Sequence, residues 1–333
     1  MITLQKIVCV FLIGTGGGIS YGFIKQKVTP MVTPFSFTRV QQYSTLLKEP
    51  QLLNSFDNET LAYYAFVPSE PKGALVFYHG GGIWSNGIYQ HMAQELSDVY
   101  HIAVYLFDIR GHGNSHGARG DAPTTTHVWR DIDVALDFVK KTHKIPLFLG
   151  GHSSGAGLVL NYAAHADNSN IAGYLFLSPF LGARVSANRV HADSSAQFVK
   201  KVNLWALILH DISGGRWFNN RPAVFFNYPA AFKKQDQHVL EYYTCAMAAA
   251  TTPHDAQKNF AALKKPFGLL IGSEDEQFLP QETIAYKDYA TQIKERSIAE
   301  IMPGETHLSA VIAAPRFIEK AINFILLRQN SSF

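Results

Sequence analysis

Short apolar runs alternate with amphipathic segments through most of this 333-residue chain. The apolar runs lie at residues 74–78, 102–107, 146–149, 171–177 and 266–271. Runs of this length are typical of strands that are buried on both faces of a sheet. Between them, residues 89–96 and 128–139 carry apolar side chains at helical spacing. The alternation predicts an α/β fold with a mainly parallel central sheet flanked by helices, in which ligands bind at the carboxyl ends of the strands.

The alternation is interrupted once. Residues 181–261 show no strand and helix rhythm and are rich in aromatic side chains. We interpret them as a lid inserted into a core formed by residues 51–180 and 262–330, and a displaced part of an ordinary core is the alternative. The resumed pattern predicts a helix at 283–293, a last strand at 297–301 and a closing helix at 316–327.

The N-terminal residues 1–24 form a separate segment in which Lys6 precedes an uncharged, mostly apolar run. A cleaved signal peptide has an apolar region of about 7 to 15 residues, and a spanning helix needs about 17 to 25. The run fits a signal peptide or a membrane anchor, and a buried helix is the third alternative. We therefore expect a protein that is exported or membrane-anchored, at an inner membrane, in a periplasm or in an equivalent place. Residues 25–50 are predicted to be a linker, because residues 25–37 contain two prolines and show no periodicity.

Charge and cysteine content exclude several classes of function. The formal net charge is only +3, and no dense Lys/Arg run is interleaved with aromatics, so we expect no nucleic-acid partner. The two cysteines, Cys9 and Cys245, cannot form a disulfide framework or a cysteine-rich metal site. The glycine-rich stretches lack the residues of a phosphate loop, so no cofactor is expected.

One pentapeptide carries candidate chemistry, the sequence Gly151-His152-Ser153-Ser154-Gly155. It follows an apolar run and precedes a helical pattern, which predicts a strand, a very tight turn and a helix. A serine on such a turn has a strained backbone and close neighbours, so the flanking residues must lack side chains. The geometry would project the Ser153 hydroxyl outward as a nucleophile.

A nucleophilic serine needs a base, and the base needs an orienting acid. Asp275 comes just after the strand that ends at residue 271, and His307 lies between the last strand and the last helix. Both are therefore expected at the same sheet edge as Ser153, in the chain order serine, acid, histidine. Glu274 is the alternative acid.

Backbone donors for an oxyanion are the fourth requirement of such a site. Gly80, Gly81 and Gly82 follow the strand 74–78 and allow main-chain amides to approach a substrate closely. The Ser154 amide at the start of the predicted helix is the second donor. We prefer Gly81 paired with Ser154, and Gly80 is the alternative to Gly81.

A metal site formed by Asp108, His112 and His116 is disfavoured by the sequence around them. Histidines four residues apart suit a helix, but Gly111, Gly113 and other glycines indicate a loop. This loop is predicted to line the base of the site, with Asp108 and Arg110 as candidate buried partners. No metal is expected.

The combined motifs resemble the α/β-hydrolase group of monoacylglycerol lipases, lysophospholipases and serine aminopeptidase-like proteins. The resemblance covers about residues 56–327 and rests on the motifs His79 to Gly82, 108–117, 151–155 and 272–275 together with His307. It implies the α/β-hydrolase fold and ester hydrolysis through an acyl-enzyme. In many of these lipases a glutamate occupies the positions held here by Ile83 and Trp84, and methionine is common where Ser154 stands.

These observations predict a serine carboxylic ester hydrolase that acts on a lipid-like substrate, a lysophospholipid or a monoacylglycerol. The aromatic insertion and the apolar N-terminal segment motivate the lipid substrate and the attachment to a membrane. One alternative is a peptidase that removes N-terminal residues and holds the substrate ammonium with lid carboxylates. Those carboxylates are Asp193, Asp211, Asp236, Glu241 and Asp255. A catalytically silent binding protein on the same fold is the other alternative.

Overall fold

The computed structural model describes residues 37–166, 170–189 and 197–330. Its strands are β1 Gln51–Asn54, β2 Thr60–Phe66, β3 Gly73–Tyr78, β4 Ile102–Phe107, β5 Leu147–His152, β6 Gly173–Leu177, β7 Val199–Val202, β8 Pro222–Phe226, β9 Tyr242–Thr244, β10 Phe267–Gly272 and β11 Ile298–Met302. Its helices are α1 Gly87–Asp98, α2 Thr125–Thr142, α3 Ser154–Ala163, α4 Leu204–Ile212, α5 Ala230–Gln235, α6 Cys245–Thr251, α7 Ala256–Ala262, α8 Pro280–Ile284 and α9 Ser309–Asn330.

Eight strands form the central sheet in the order β1-β2-β4-β3-β5-β6-β10-β11. The first two pairings are antiparallel and the remaining five are parallel. Every residue of β3, β4, β5, β6 and β10 is buried, because helices cover both faces of the sheet. The continuous apolar runs thus arise from burial on two faces, and the predicted α/β fold with a mainly parallel sheet is confirmed.

The sheet order brings the carboxyl ends of β5, β10 and β11 to one edge, with β6 between β5 and β10. The loops after these three strands carry Ser153, Asp275 and His307. Strand β3 pairs with β5 on the other side, so the three glycines after β3 approach the same edge. Sheet topology alone therefore gathers residues that are far apart in sequence.

Residues 181–261 contain a second sheet of three antiparallel strands, β7-β8-β9, together with α4, α5, α6 and most of α7. This small sheet makes no strand pairing with the central sheet. Aromatic side chains of the insertion lie over the loop after β3, where a Cβ at Gly82 would meet Phe226 and Tyr228 first. The segment thus packs against the sheet edge at which the candidate residues meet.

The predicted linker is described only from residue 37, and from there it lies against the domain. A 3-10 helix spans Thr38–Tyr43, the ring of Phe37 stacks on Phe232 with centroids 4.4 Å apart, and Arg39 pairs with Glu274 at 3.1 Å. The predicted signal peptide or anchor, residues 1–24, lies outside the described residues. Within the described ranges no helix is long and apolar enough to cross a membrane.

The last third of the chain differs from the sequence-based expectation in two elements. The helix predicted at 283–293 is a short α8 followed by 3-10 turns at Ala285–Tyr289 and Lys294–Arg296. The closing helix α9 begins at Ser309, seven residues before the predicted start, and includes Pro315. Pro315 lies in the second turn, where the loss of one backbone hydrogen bond is tolerated by a helix that is anchored by burial on β10 and β6.

Candidate active site

Ser153 occupies a strained turn between β5 and α3. Its backbone angles are φ 54° and ψ −118°, outside the regions that a residue with a side chain ordinarily adopts. The Ser153 amide donates to the Leu177 carbonyl at 2.9 Å, and its carbonyl accepts from the amides of Gly157 and Phe180 at 3.0 Å each. These three hydrogen bonds hold the Ser153 backbone in its strained conformation.

The two glycines of the pentapeptide are required by close packing. A Cβ at Gly151 would lie 2.4 Å from the backbone carbon of Gly155, and a Cβ at Gly155 would lie 2.3 Å from the carbonyl oxygen of His79. Both contacts are with main chain, which cannot rotate away. The motif spacing therefore reflects the crossing of α3 over the ends of β5 and β3.

We expect Gly155→Ala to lower the free energy of unfolding by at least about 2 kcal/mol, because the added methyl group overlaps backbone atoms. Chemical denaturation followed by circular dichroism measures this loss. Gly73→Ala is the matched control, since its Cβ would make only ordinary contacts at 3.5 Å or more. Equal stabilities of the two variants would contradict the packing argument.

Asp275 and His307 form a buried pair. The Nδ1 of His307 lies 2.9 Å from Oδ2 of Asp275, with 4% and 0% of the two side chains exposed. The other carboxylate oxygen of Asp275 accepts from the amides of Gln277 and Phe278, each at 2.9 Å. The carboxylate is therefore fixed in position, and it presents one oxygen to His307.

The alternative acid, Glu274, faces away from His307. Its side chain is 54% exposed and pairs with Arg39 at 3.1 Å. The next acidic residue, Glu276, is buried and accepts from the His307 amide at 2.8 Å. The structure thus brings Asp275 to the imidazole, Glu276 to the backbone of the same residue, and Glu274 to the surface.

Burial by itself would lower the pKa of His307, but the charge and hydrogen bond of Asp275, with a contribution from Glu276, outweigh it and raise the pKa. A general base acts only when its imidazole is neutral. We therefore expect kcat/KM for hydrolysis to rise with pH along an acid limb whose apparent pKa lies above 6.5, the ordinary value of histidine. A pH–rate profile measures it, and an acid limb centred below pH 6 would contradict this expectation.

A series of hydrogen bonds that the sequence did not indicate connects the loop of His307 with the loop after β3. The His152 Nε2 donates to the carbonyl of His307 at 3.1 Å, because a carbonyl can only accept. The His152 Nδ1 must then accept from the Tyr89 hydroxyl at 2.8 Å, and that hydroxyl accepts from the Gly80 amide at 2.9 Å. Burial, followed by the nearby His307, lowers the pKa of His152 far below 6.5, which keeps it in this neutral form.

The three glycines after β3 differ in what their amides bond. The Gly80 amide donates to Tyr89 and the Gly82 amide donates to Tyr243, both at 2.9 Å. Within the part of the chain that the structure describes, the amides of Gly81 and Ser154 donate to no acceptor. These two residues are adjacent, since a Cβ on Gly81 would lie 3.2 Å from that of Ser154. Of the candidate oxyanion donors, the preferred pair is the one left free, and the amide of Gly80 is already bonded.

The loop after β4 is a structural support. Asp108 and Arg110 are both buried, as predicted, but they have different partners. Asp108 accepts from the amides of Ser85 and Asn114, whereas Arg110 forms ion pairs with Asp57 and Asp131 at 2.7 Å each.

The residues of the disfavoured metal site either form other hydrogen bonds or are exposed to solvent. The two ring nitrogens of His112 contact the Arg110 carbonyl at 3.0 Å and the Tyr243 hydroxyl at 2.8 Å, and His116 is exposed. Among the described residues no group of three or more potential ligands is placed to hold a metal ion.

The carboxylates considered for binding an ammonium group are dispersed among other partners. Asp236 accepts from the Trp84 indole at 2.7 Å, Glu241 pairs with Lys233 at 3.3 Å, and Asp255 caps α7 through the Lys258 amide. Asp211 is 58% exposed beside His210, and Asp193 lies outside the described residues.

Comparisons with known proteins agree with this architecture. The model of the family Hydrolase_4, described as serine aminopeptidase S33, matches residues 69–307. A monoglyceride lipase of Saccharomyces cerevisiae is 31% identical over 153 residues, which are 42% of this chain and 47% of that protein. Phospholipase YtpA of Bacillus subtilis is 28% identical over 127 residues, 38% of this chain and 48% of that protein. The chain spans less than half the length of these curated relatives.

A solved structure of a soluble variant of the Saccharomyces cerevisiae monoglyceride lipase, in complex with a substrate analog, superposes with a TM-score of 0.59. Its sequence identity is 19%, and the match covers 84% of this chain and 96% of that one, which shows a shared fold. Together with the family match from residue 69 to residue 307, this similarity shows that the chain belongs to the serine aminopeptidase S33 family of α/β-hydrolases.

Proposed function

We propose that this protein is a serine hydrolase that cleaves carboxylic esters of a lipid-like substrate, a lysophospholipid or a monoacylglycerol, through an acyl-enzyme. The observation that carries the proposal is the buried 2.9 Å contact between Asp275 and Nδ1 of His307, at the same sheet edge as the strained Ser153. A histidine oriented by an acid, at the sheet edge where a serine lies on a tight turn, supplies the groups that nucleophilic acyl transfer uses.

In the proposed first step the Ser153 oxygen attacks the ester carbonyl carbon, and its proton passes to Nε2 of His307. The negative charge that develops on the carbonyl oxygen is stabilised by the amides of Gly81 and Ser154. The intermediate expels the alcohol, which takes the proton from His307. In the second step water attacks the acyl-serine with His307 again as base, which releases the carboxylic acid and restores Ser153. Asp275 keeps Nδ1 protonated throughout and stabilises the imidazolium.

Two features of the insertion support the lipid-like substrate. Aromatic rings cluster beside the candidate oxyanion donors, where Phe226 contacts both Phe198 and Tyr243 with centroids 5.3 and 4.8 Å apart. Elsewhere on the insertion large apolar side chains face solvent, among them Trp205 at 76% and Trp217 at 63% exposure. Apolar walls suit an acyl chain, and an exposed apolar surface suits a substrate held in an aggregate or interface. Relatives named as monoglyceride lipases and a phospholipase point the same way.

A substrate panel tests the proposal. Purified protein is assayed on p-nitrophenyl esters of increasing chain length, on lysophosphatidylcholine, on monoacylglycerol and on aminoacyl amides, beside Ser153→Ala. We expect hydrolysis of the long-chain esters and covalent labelling by a fluorophosphonate, both lost in Ser153→Ala. Preference for short, water-soluble esters would refute the lipid substrate. Cleavage of the amides alone would identify a peptidase, and absence of labelling would indicate a silent binding protein.

A further inference from the structure

The loop after β3 is held by tyrosine hydroxyls that come from the insertion. The carbonyl of Gly81 accepts from the Tyr228 hydroxyl at 2.6 Å, and the amide of Gly82 donates to the Tyr243 hydroxyl at 2.9 Å. These two backbone groups belong to one peptide unit, the one that joins Gly81 to Gly82. Both ends of a single peptide dipole are therefore anchored by side chains that follow in the chain 147 and 161 residues later.

The preceding peptide unit is anchored at one end only. The Gly80 carbonyl accepts from the His79 Nδ1 at 2.9 Å, because His79 Nε2 accepts from the Ile109 amide. Burial lowers the pKa of His79 to about 4, so the ring stays neutral. The amide at the other end of this unit, that of Gly81, has no acceptor in the described chain. The groups on both sides of the Gly81 amide are thus anchored, so this amide is a free donor that points in a defined direction.

Tyr243 can accept from Gly82 because its own proton has a fixed acceptor. The His112 Nδ1 faces the Arg110 carbonyl at 3.0 Å and must donate to it, so Nε2 is bare and accepts from the Tyr243 hydroxyl at 2.8 Å. Burial, with the neighbouring His79, keeps the pKa of His112 well below 6.5 and the ring neutral. The direction of each hydrogen bond is therefore determined in the series that leads from the Gly82 amide through Tyr243 and His112 to the Arg110 carbonyl.

Hydrogen bonds hold this loop in place, and they include one from the Leu240 amide to the Gly82 carbonyl at 2.8 Å. Gly81 and Gly82 carry no side chains that could pack, and Gly82 adopts φ +71°, where glycine has much freedom. The site is also too crowded for a side chain to take over, since a Cβ at Gly82 would lie 2.8 Å from the Phe226 ring. Orientation of the loop must come from hydrogen bonds made by the surrounding residues.

We propose that Tyr228 and Tyr243 are positioning residues, which hold the peptide unit between Gly81 and Gly82 in one orientation so that the Gly81 amide faces the oxyanion. The inference rests on the proposed function. It gives residues 181–261 a part in catalysis that is separate from covering the site, because the insertion supplies both hydroxyls.

Tyr228→Phe and Tyr243→Phe test the proposal, since they remove a hydroxyl and keep the ring. An oxyanion exists only in the transition state and the intermediate, so misorientation of its donor lowers kcat and leaves KM nearly unchanged. We expect kcat to fall about 10-fold in each variant, less than the 100-fold or more that complete removal of a donor costs, with KM changed less than about twofold. The rate of fluorophosphonate labelling falls in parallel.

Tyr105→Phe is the matched control. It removes a tyrosine hydroxyl bonded to His143 at 2.7 Å, and it lies on β4, where it takes no part in the loop. We expect the control to change Tm to a similar extent but not kcat. Changes of kcat below about twofold in both test variants, or losses no larger than those of Tyr105→Phe at equal Tm, would overturn the proposal.

Hydrogen exchange at the Gly82 amide gives a readout that needs no activity. We expect exchange to accelerate at least about 10-fold in Tyr243→Phe relative to wild type and Tyr105→Phe, because the amide loses its acceptor. Unchanged exchange would overturn the positioning role. If the wild-type protein hydrolysed no ester, the proposed function would fail, and this measurement would still decide whether Tyr243 holds the loop.

Discussion

Asp275→Asn is expected to lower kcat for ester hydrolysis about 10⁴-fold, because the amide cannot both orient His307 and stabilise its protonated form. The carboxylate oxygen Oδ2 of Asp275 accepts from Nδ1 of His307 at 2.9 Å. An Asn side chain that kept the bonds to the amides of Gln277 and Phe278 would present its NH2 group to His307. The imidazole would then adopt the wrong tautomer, with its proton on the nitrogen that must accept from Ser153. Steady-state kinetics on the best ester of the panel measures the loss.

Glu274→Gln is the control for this experiment, as it removes the neighbouring carboxylate from an exposed ion pair with Arg39. Exposed pairs contribute little, so we expect kcat within about twofold of wild type and stability within about 1 kcal/mol. A large loss in Glu274→Gln combined with a small loss in Asp275→Asn would reverse the assignment of the acid.

Arg110→Met is expected to lower the free energy of unfolding by about 3 to 5 kcal/mol, the usual result of removing one partner from a buried ion pair. The Arg110 side chain is 2% exposed, and it bonds Asp57 and Asp131, which are 23% and 6% exposed. Methionine has similar reach but no charge, so the Asp131 carboxylate would stay buried without its cation. Urea denaturation at pH 7 measures the change.

The same variant should recover part of its stability as the pH falls from 7 to 5. Burial raises the pKa of Asp131 even beside Arg110, whereas Asp57, which is more exposed, has its pKa lowered by Arg110 in spite of desolvation. Without Arg110 the pKa of Asp131 would rise further. A carboxyl whose folded-state pKa is raised binds more protons in the folded state, so its stability increases toward low pH. A deficit that stayed constant between pH 5 and 7 would contradict this account.

Arg39→Ala provides the comparison with an exposed arginine. Arg39 pairs with Glu274 and donates to the Gly304 carbonyl at 2.6 Å, with half of its side chain exposed. Screening by water makes such a pair worth at most about 1 kcal/mol. A loss as large as that of Arg110→Met would show that burial does not distinguish these ion pairs.

The fold could be predicted because a strand that is buried on both faces of a sheet appears in the sequence as a continuous apolar run. Strands β3 and β4 lie in the interior of the sheet, and each of their six residues is buried. The predicted helix at 283–293 is wrong although its burial pattern is helical. Four of its side chains, Thr283, Tyr286, Ala290 and Ile293, are buried at helical spacing, yet the backbone forms a short helix followed by 3-10 turns, so tertiary contacts and not periodicity decide where its turns end.

The candidate site could be predicted in part. Chain order and strand ends placed Ser153, Asp275 and His307 at one edge, since parallel strands present their carboxyl ends together. The sequence favoured Asp275 but left its neighbour Glu274 as an alternative, because adjacent residues in a loop point in different directions that only the folded loop fixes. The same holds for Gly80 and Gly81, whose amides differ only in what they bond.

By itself the sequence determined the sheet, the tight turn at Ser153 and the identity of the residues that could react, because these depend on local spacing and on the pattern of burial. Only the tertiary structure decided which carboxylate faces His307, which amides stay free, and that Tyr228 and Tyr243 hold the loop after β3. These are contacts between segments 32 to 161 residues apart, and side-chain direction and hydrogen-bond pairing at such separations have no periodic signature in a sequence.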